Sequence, residues 1–81
     1  MYYTIINTQK TLNKGEKMYV ELHYGTDTTQ FVSVKAFLKD IGSKSIGMND
    51  TFTWGNQSYT VYDLTVIQDE YNELWLKVYA R

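Results

Sequence analysis

Ser33-Val34-Lys35-Ala36-Phe37-Leu38-Lys39-Asp40-Ile41-Gly42 is where the apolar rhythm of this 81-residue chain changes. Val34, Phe37, Leu38 and Ile41 recur at i, i+3, i+4 and i+7, the spacing that puts them on one face of a helix. Ser33 suits the start, because its hydroxyl can accept a bond from an unpaired N–H of the first turn. Gly42 suits the left-handed residue just past the end. Two turns do not hold together alone in water, so the helix over 33–41 is expected to lay its apolar face on a sheet.

On both sides the period is two. Upstream, Tyr2–Gln9 is rich in β-formers and reads as a first strand, and Lys10–Gly15 reads as a loop. In Lys17–Tyr24, Met18, Val20, Leu22 and Tyr24 point one way and Tyr19, Glu21 and His23 the other, as in a half-buried strand. Gly25-Thr26-Asp27 signals a turn, with Thr28–Val32 returning as a third strand. Downstream, Ser43–Asp50 reads as a loop, Thr51–Trp54 as a short strand and Gly55-Asn56-Gln57 as its turn. Ser58–Gln68 is the longest strand. Its apolar phase shifts between Tyr59/Val61 and Leu64/Val66, which a β-bulge near Tyr62-Asp63 would reconcile. After a turn at Asp69–Asn72, Glu73–Ala80 closes the chain with Leu74, Leu76 and Val78 opposite Trp75, Lys77 and Tyr79.

The order is β-β-β-α-β-β-β, and local hairpins imply an antiparallel sheet. The expected fold is α+β and mostly β: a small curved antiparallel sheet or a partly closed barrel of the OB or SH3-like kind. An open sheet covered by the helix on one side is the alternative. Residues 1–81 leave room for a single domain. With 43% hydrophobic and 21% charged residues, disorder is not expected. Cysteine is absent, so neither a disulfide framework nor a thiolate metal site is available. Met1–Asn7 lacks a charged start and an apolar h-region, and no segment is apolar enough to span a bilayer, so a cytoplasmic location without membrane contact is expected. The net charge is −1, divided as six Lys against four acids in residues 1–48 and two basic residues against five acids in 49–81. That balance is no basic footprint for duplex nucleic acid.

Catalytic constellations are hard to assemble from these residues, and no enzymatic activity and no cofactor are expected. His23, the one histidine, falls on the polar face of its strand, and no sequence pattern supplies a nucleophile or an orienting partner. Asp69, Glu70 and Glu73 gather at a turn without a calcium-loop pattern and read as a solvated hairpin tip. Glu21 and Asp63 could face each other across the sheet. Gly42-Ser43-Lys44-Ser45-Ile46-Gly47 has the glycine spacing of a phosphate loop, but Met48-Asn49 stand where Lys and Ser/Thr are required, and the segment follows a helix instead of opening one.

The unusual feature is an aromatic content of 16%, with eight Tyr and two Trp. These rings either fill the core (Phe52 with Val61, Leu64 and Leu76 belong there) or form a protein-binding face, since Tyr and Trp dominate interface energetics. The residues singled out for binding are Trp75, Tyr79, Lys77, Arg81 and Tyr19, with Trp75 and Tyr79 as exposed anchors unless the helix covers them. Trp75-Lys77-Tyr79-Arg81 also interleaves aromatic and basic groups as a stacking platform for single-stranded nucleic acid does, although the acidic balance disfavours a polyanion.

Asp50-Thr51-Phe52-Thr53-Trp54-Gly55-Asn56-Gln57-Ser58-Tyr59-Thr60-Val61, followed by Leu64, resembles a pattern in tailed-phage head–tail joining (head-closure) proteins. There a short strand, a polar turn and a Tyr-x-Val strand lead to a final hairpin ending in an alternating strand, here Leu74–Tyr79. The resemblance covers the last 32 residues. It implies a protein of the virion or the host cytoplasm that acts in virion assembly and self-associates into a ring. A small phage-encoded inhibitor of a host protein would have the same compact, aromatic-rich character. The expected function is therefore a non-enzymatic protein-interaction module, with a single-stranded nucleic-acid-binding small barrel as the alternative.

Overall fold

The structure, a computed structural model, describes residues 4–6, 12–13 and 18–81. The helix α1 spans Val34–Ile41 and buries Val34, Phe37, Leu38 and Ile41, the four residues its spacing selects. The Ser33 hydroxyl accepts from the Ala36 N–H at 3.0 Å, a cap that contributes about 1 kcal/mol. At the other end Gly42 adopts φ 71°, and its N–H and that of Ser43 close on the carbonyls of Lys39 and Leu38.

Among the described residues eight strands accompany this helix: β1 (Thr4–Ile6), β2 (Leu12–Asn13), β3 (Tyr19–Tyr24), β4 (Asp27–Phe31), β5 (Ser45–Ile46), β6 (Thr51–Trp54), β7 (Gln57–Gln68) and β8 (Leu74–Ala80). Six of them, with α1, reproduce the order read from the sequence. The other two, β2 and β5, are two-residue strands that pair with each other inside segments read as loops, Lys10–Gly15 and Ser43–Asp50. The rest of the first strand expected over Tyr2–Gln9 lies outside the described residues. β4 begins and ends one residue earlier than expected.

The main sheet runs β1-β7-β8-β3-β4, with β6 added on β7, and it curls into a half-barrel. The fold is α+β, mostly strand, with a curved sheet. One pairing departs from the all-antiparallel expectation: β3 and β8 run parallel, Val20 opposite Leu76 and Leu22 opposite Val78. Hairpin turns dictate antiparallel pairing only between neighbours in sequence, and β8 is separated from β3 by four strands and the helix. The β6–β7 turn is tight because Gly55 and Asn56 both take positive φ, 57° and 66°, as a two-residue type I′ loop requires.

The core lies between α1 and one face of this sheet. Val20 and Leu22 of β3, Leu64 and Val66 of β7, and Leu76 and Val78 of β8 are buried there against Phe37 and Leu38. Six rings continue the layer. Phe37 meets Phe31 at 5.1 Å and Phe52 at 6.1 Å, Phe31 meets Trp54 at 5.4 Å, and Tyr24 touches Trp54 and Tyr59 at 6.3 and 5.7 Å. The bulge falls where the phase shift puts it, between Val61 and Asp63. It returns Leu64 to the core side and leaves Tyr62 and Asp63 together on the other.

Candidate functional site

Because side chains alternate along a strand, the face of β3 and β8 away from α1 carries Tyr19, Glu21, His23, Trp75, Lys77 and Tyr79. The parallel register sets them opposite one another: Tyr19 with Trp75, Glu21 with Lys77, His23 with Tyr79. Each pair is in contact. Tyr19 and Trp75 stack at 4.9 Å, His23 and Tyr79 stack at 4.6 Å, and the Lys77 ammonium lies 3.3 Å from Glu21 Oε1. Beyond Tyr79, the bulged Tyr62 packs at 6.2 Å, and the Arg81 guanidinium sits 4.5 Å over the Tyr62 ring.

All five residues selected from the sequence, Tyr19, Trp75, Lys77, Tyr79 and Arg81, therefore share one face. Trp75 and Tyr79 escape the helix but are not freely exposed anchors. Both are half-buried, because Tyr19 and His23 cover one side of each ring. The rings with larger exposure are Tyr19 at 36%, Tyr62 at 45% and Tyr71, at the β7–β8 turn, at 75%.

Three features of this face were not legible in the sequence. First, His23 has an orienting partner: its Nε2 lies 2.7 Å from Glu21 Oε1. A carboxylate can only accept, so Nε2 carries a proton and donates. The spacing of two along one strand face was the available signal. Thr28 Oγ1 approaches His23 Nδ1 at 3.3 Å, giving a hydroxyl–imidazole–carboxylate chain. The Thr28 hydroxyl is exposed and lies outside the cleft described below.

Second, Glu21 and Asp63 do not face each other. β8 runs between their strands, and Glu21 lies opposite Lys77 while Asp63 lies opposite Tyr79. Burial pushes the Glu21 carboxyl up, but bonds from Gln30 and His23 and the adjacent Lys77 charge outweigh it and hold the group below the ordinary carboxylate range. A lowered folded-state value means that the ionised network contributes stability above the unfolded value near 4.5, and that this contribution is lost as pH falls through the folded value. Urea unfolding of the wild type and Glu21→Gln across that window checks this. The wild-type advantage is expected at neutral pH and should shrink toward zero in acid, whereas a gap independent of pH would reject it.

Third, Asp69 lies at the solvent-exposed hairpin tip as expected, but its carboxylate is also engaged there. Its Oδ1 accepts the N–H groups of Tyr71 and Glu73 at 2.9 and 3.0 Å, and its Oδ2 accepts the Trp75 indole N–H at 3.0 Å. Burial raises the Asp69 carboxyl, and these three donors more than reverse that and lower it. One carboxylate thus shapes the turn and fixes the tryptophan. An acid accepting from residues two and four further on is ordinary turn chemistry, but the bond to Trp75 depends on the three-dimensional path of the hairpin.

Between Trp75 on one side and Lys77 with Glu21 on the other lies an open cleft of ≈ 190 Å³, floored by Ile67 and bounded at the hairpin end by Asp69, Glu70 and Tyr71. Ile67 is buried but is not part of the core cluster under α1. Among the described residues, no group of three His, Asp or Glu side chains converges as a metal site does, and no helix is long and apolar enough to cross a membrane.

Fold and face together define a small α+β half-barrel that presents a preorganised aromatic and ionic surface on the side opposite its only described helix. No protein-family model, curated protein or solved structure matches the chain.

Proposed function

We propose that this protein is a non-enzymatic docking module that binds another protein through the outer face of β3 and β8. The carrying observation is the pair of locked aromatic stacks, Tyr19–Trp75 and His23–Tyr79, flanking the Glu21–Lys77 ion pair. Rings already fixed in place lose little entropy on binding, and Trp and Tyr are the residue types that anchor interfaces. The resemblance of residues 50–81 to head–tail joining proteins suggests copies of this chain as the partner during virion assembly, while the compact, aromatic-rich character equally suits an inhibitor of a host protein. Residence in the host cytoplasm or the virion belongs to the same reading.

Single-stranded nucleic acid is the second reading, favoured by the alignment of Trp75, Lys77, Tyr79 and Arg81 on one face. The acids of that face weigh against it: Lys77 is already paired with Glu21, and Asp63, Asp69 and Glu70 lie close by.

A photo-crosslinking residue placed at Tyr62, and separately at the exposed Lys39 of α1, tests the docking reading in the producing cells. A discrete adduct from position 62 and none from position 39 is expected, and its mass tells self-association from a second protein. Equal trapping at both positions, or none at 62, would reject the reading. An oligonucleotide that quenches tryptophan emission at low salt would transfer the face to the nucleic-acid reading.

A further inference from the structure

We propose that the cleft beside Trp75 is a socket for an arginine side chain of the docking partner. This inference rests on the docking reading and names the chemistry of what enters. The charge of the lining decides the sign of the ligand: Glu21, Asp69 and Glu70 supply three carboxylates and Lys77 one ammonium. The Asp69 oxygens are occupied by the turn and the indole, and those of Glu21 by Gln30, His23 and Lys77. Those two acids therefore contribute field more than free acceptors, which leaves the Glu70 carboxylate at the rim to meet an incoming cation.

The shape decides the rest. A volume of ≈ 190 Å³ is below the roughly 300–1,000 Å³ of drug-sized pockets and suits one long side chain. Ile67 gives that side chain an apolar floor for its methylenes. Trp75 gives it an aromatic wall, held by Tyr19 on one side and by Asp69 at its N–H. Tyr71, 75% exposed at the hairpin tip, supplies a second ring at the mouth. A guanidinium is planar, weakly hydrated and stacks on aromatic faces, so it exploits these walls better than an ammonium.

The test is a titration of the isotope-labelled protein with acetyl-Gly-Arg-Gly-amide, and with the matching peptide in which neutral citrulline replaces arginine. The arginine peptide should move the Trp75 indole N–H resonance saturably, and citrulline should bind about fivefold more weakly. Glu70→Gln, an exposed change at the rim, should weaken the arginine peptide and leave citrulline unaffected. Equal binding of the two peptides, shifts that do not saturate or do not centre on Trp75, or no effect of Glu70→Gln would each overturn the socket. If crosslinks form at position 62 while the arginine peptide fails, only the socket falls. If the peptide binds while nothing is trapped, only the docking reading falls.

Discussion

Phe37→Ala is expected to destabilise the protein by about 3–5 kcal/mol, the cost of removing a fully buried phenylalanine. A domain of this size is stable by roughly 5–10 kcal/mol in total, so the substitution consumes a large share of the reserve. Phe37 is 0% exposed, and its ring joins Phe31 of β4 to Phe52 of β6. The helix that carries it has only eight residues and depends on its buried face, of which Phe37 is the largest side chain. The loss therefore spreads: α1 is held to the sheet only by Val34, Leu38 and Ile41, and the Phe31–Trp54 and Phe52–Tyr59 contacts lose their common neighbour. Urea unfolding followed by tryptophan fluorescence and near-ultraviolet dichroism measures the effect, with Lys35→Ala on the exposed side of α1 as the control, expected within 0.5 kcal/mol. A Phe37→Ala protein that keeps its midpoint would show that α1 is not what closes the core.

That helix was also the most legible part of the sequence. Four apolar residues at helical spacing, a serine before them and a glycine after them are local signals, and each one holds in the structure. The bulge was equally readable, because a strand whose apolar phase changes parity must gain one residue to keep both halves in the core. The β3–β8 pair was not readable. Nothing in residues 19–24 or 74–80 names the other as partner or sets the direction, since both present alternating strands that pair equally well in several arrangements. The short β2–β5 ribbon was hidden for a related reason: two-residue strands carry no period.

The candidate site was legible to the same depth. Alternation correctly placed Tyr19 with Glu21 and His23, and Trp75 with Lys77 and Tyr79, as two separate stripes. Only the parallel register turned two stripes into one surface, and only that register told which residue meets which. The sequence therefore singled out five residues that share this face but left out Glu21 and His23, although the structure pairs both with members of that set. The same gap made the sixteen per cent aromatic content ambiguous. In the structure the described rings divide into a core set around Phe37 and an outer set around Tyr79, so the core-filling reading holds for the first set and not for the second.

The second large effect is expected at Trp75. Trp75→Ala should lower affinity for the docking partner by about 30-fold or more, the loss of about 2 kcal/mol that marks an interface anchor. Crosslinking yield from position 62 in the Trp75→Ala background, read against total protein, measures it. Trp75→Phe separates two contributions, because phenylalanine keeps a ring to stack on Tyr19 but cannot donate to Asp69 Oδ2. If the ring face supplies the affinity, Trp75→Phe should keep most of the yield. If orientation by Asp69 matters as well, Asp69→Asn should reduce the yield to the level of Trp75→Phe and give the indole faster fluorescence depolarisation. The folded state should notice these changes less than it notices Phe37→Ala, because Trp75 is half-buried on the side of the sheet away from α1. A Trp75→Ala chain that unfolds as readily as Phe37→Ala, with crosslinking reduced only in proportion to the unfolded fraction, would make the outer rings a second hydrophobic layer and deny them a role in binding.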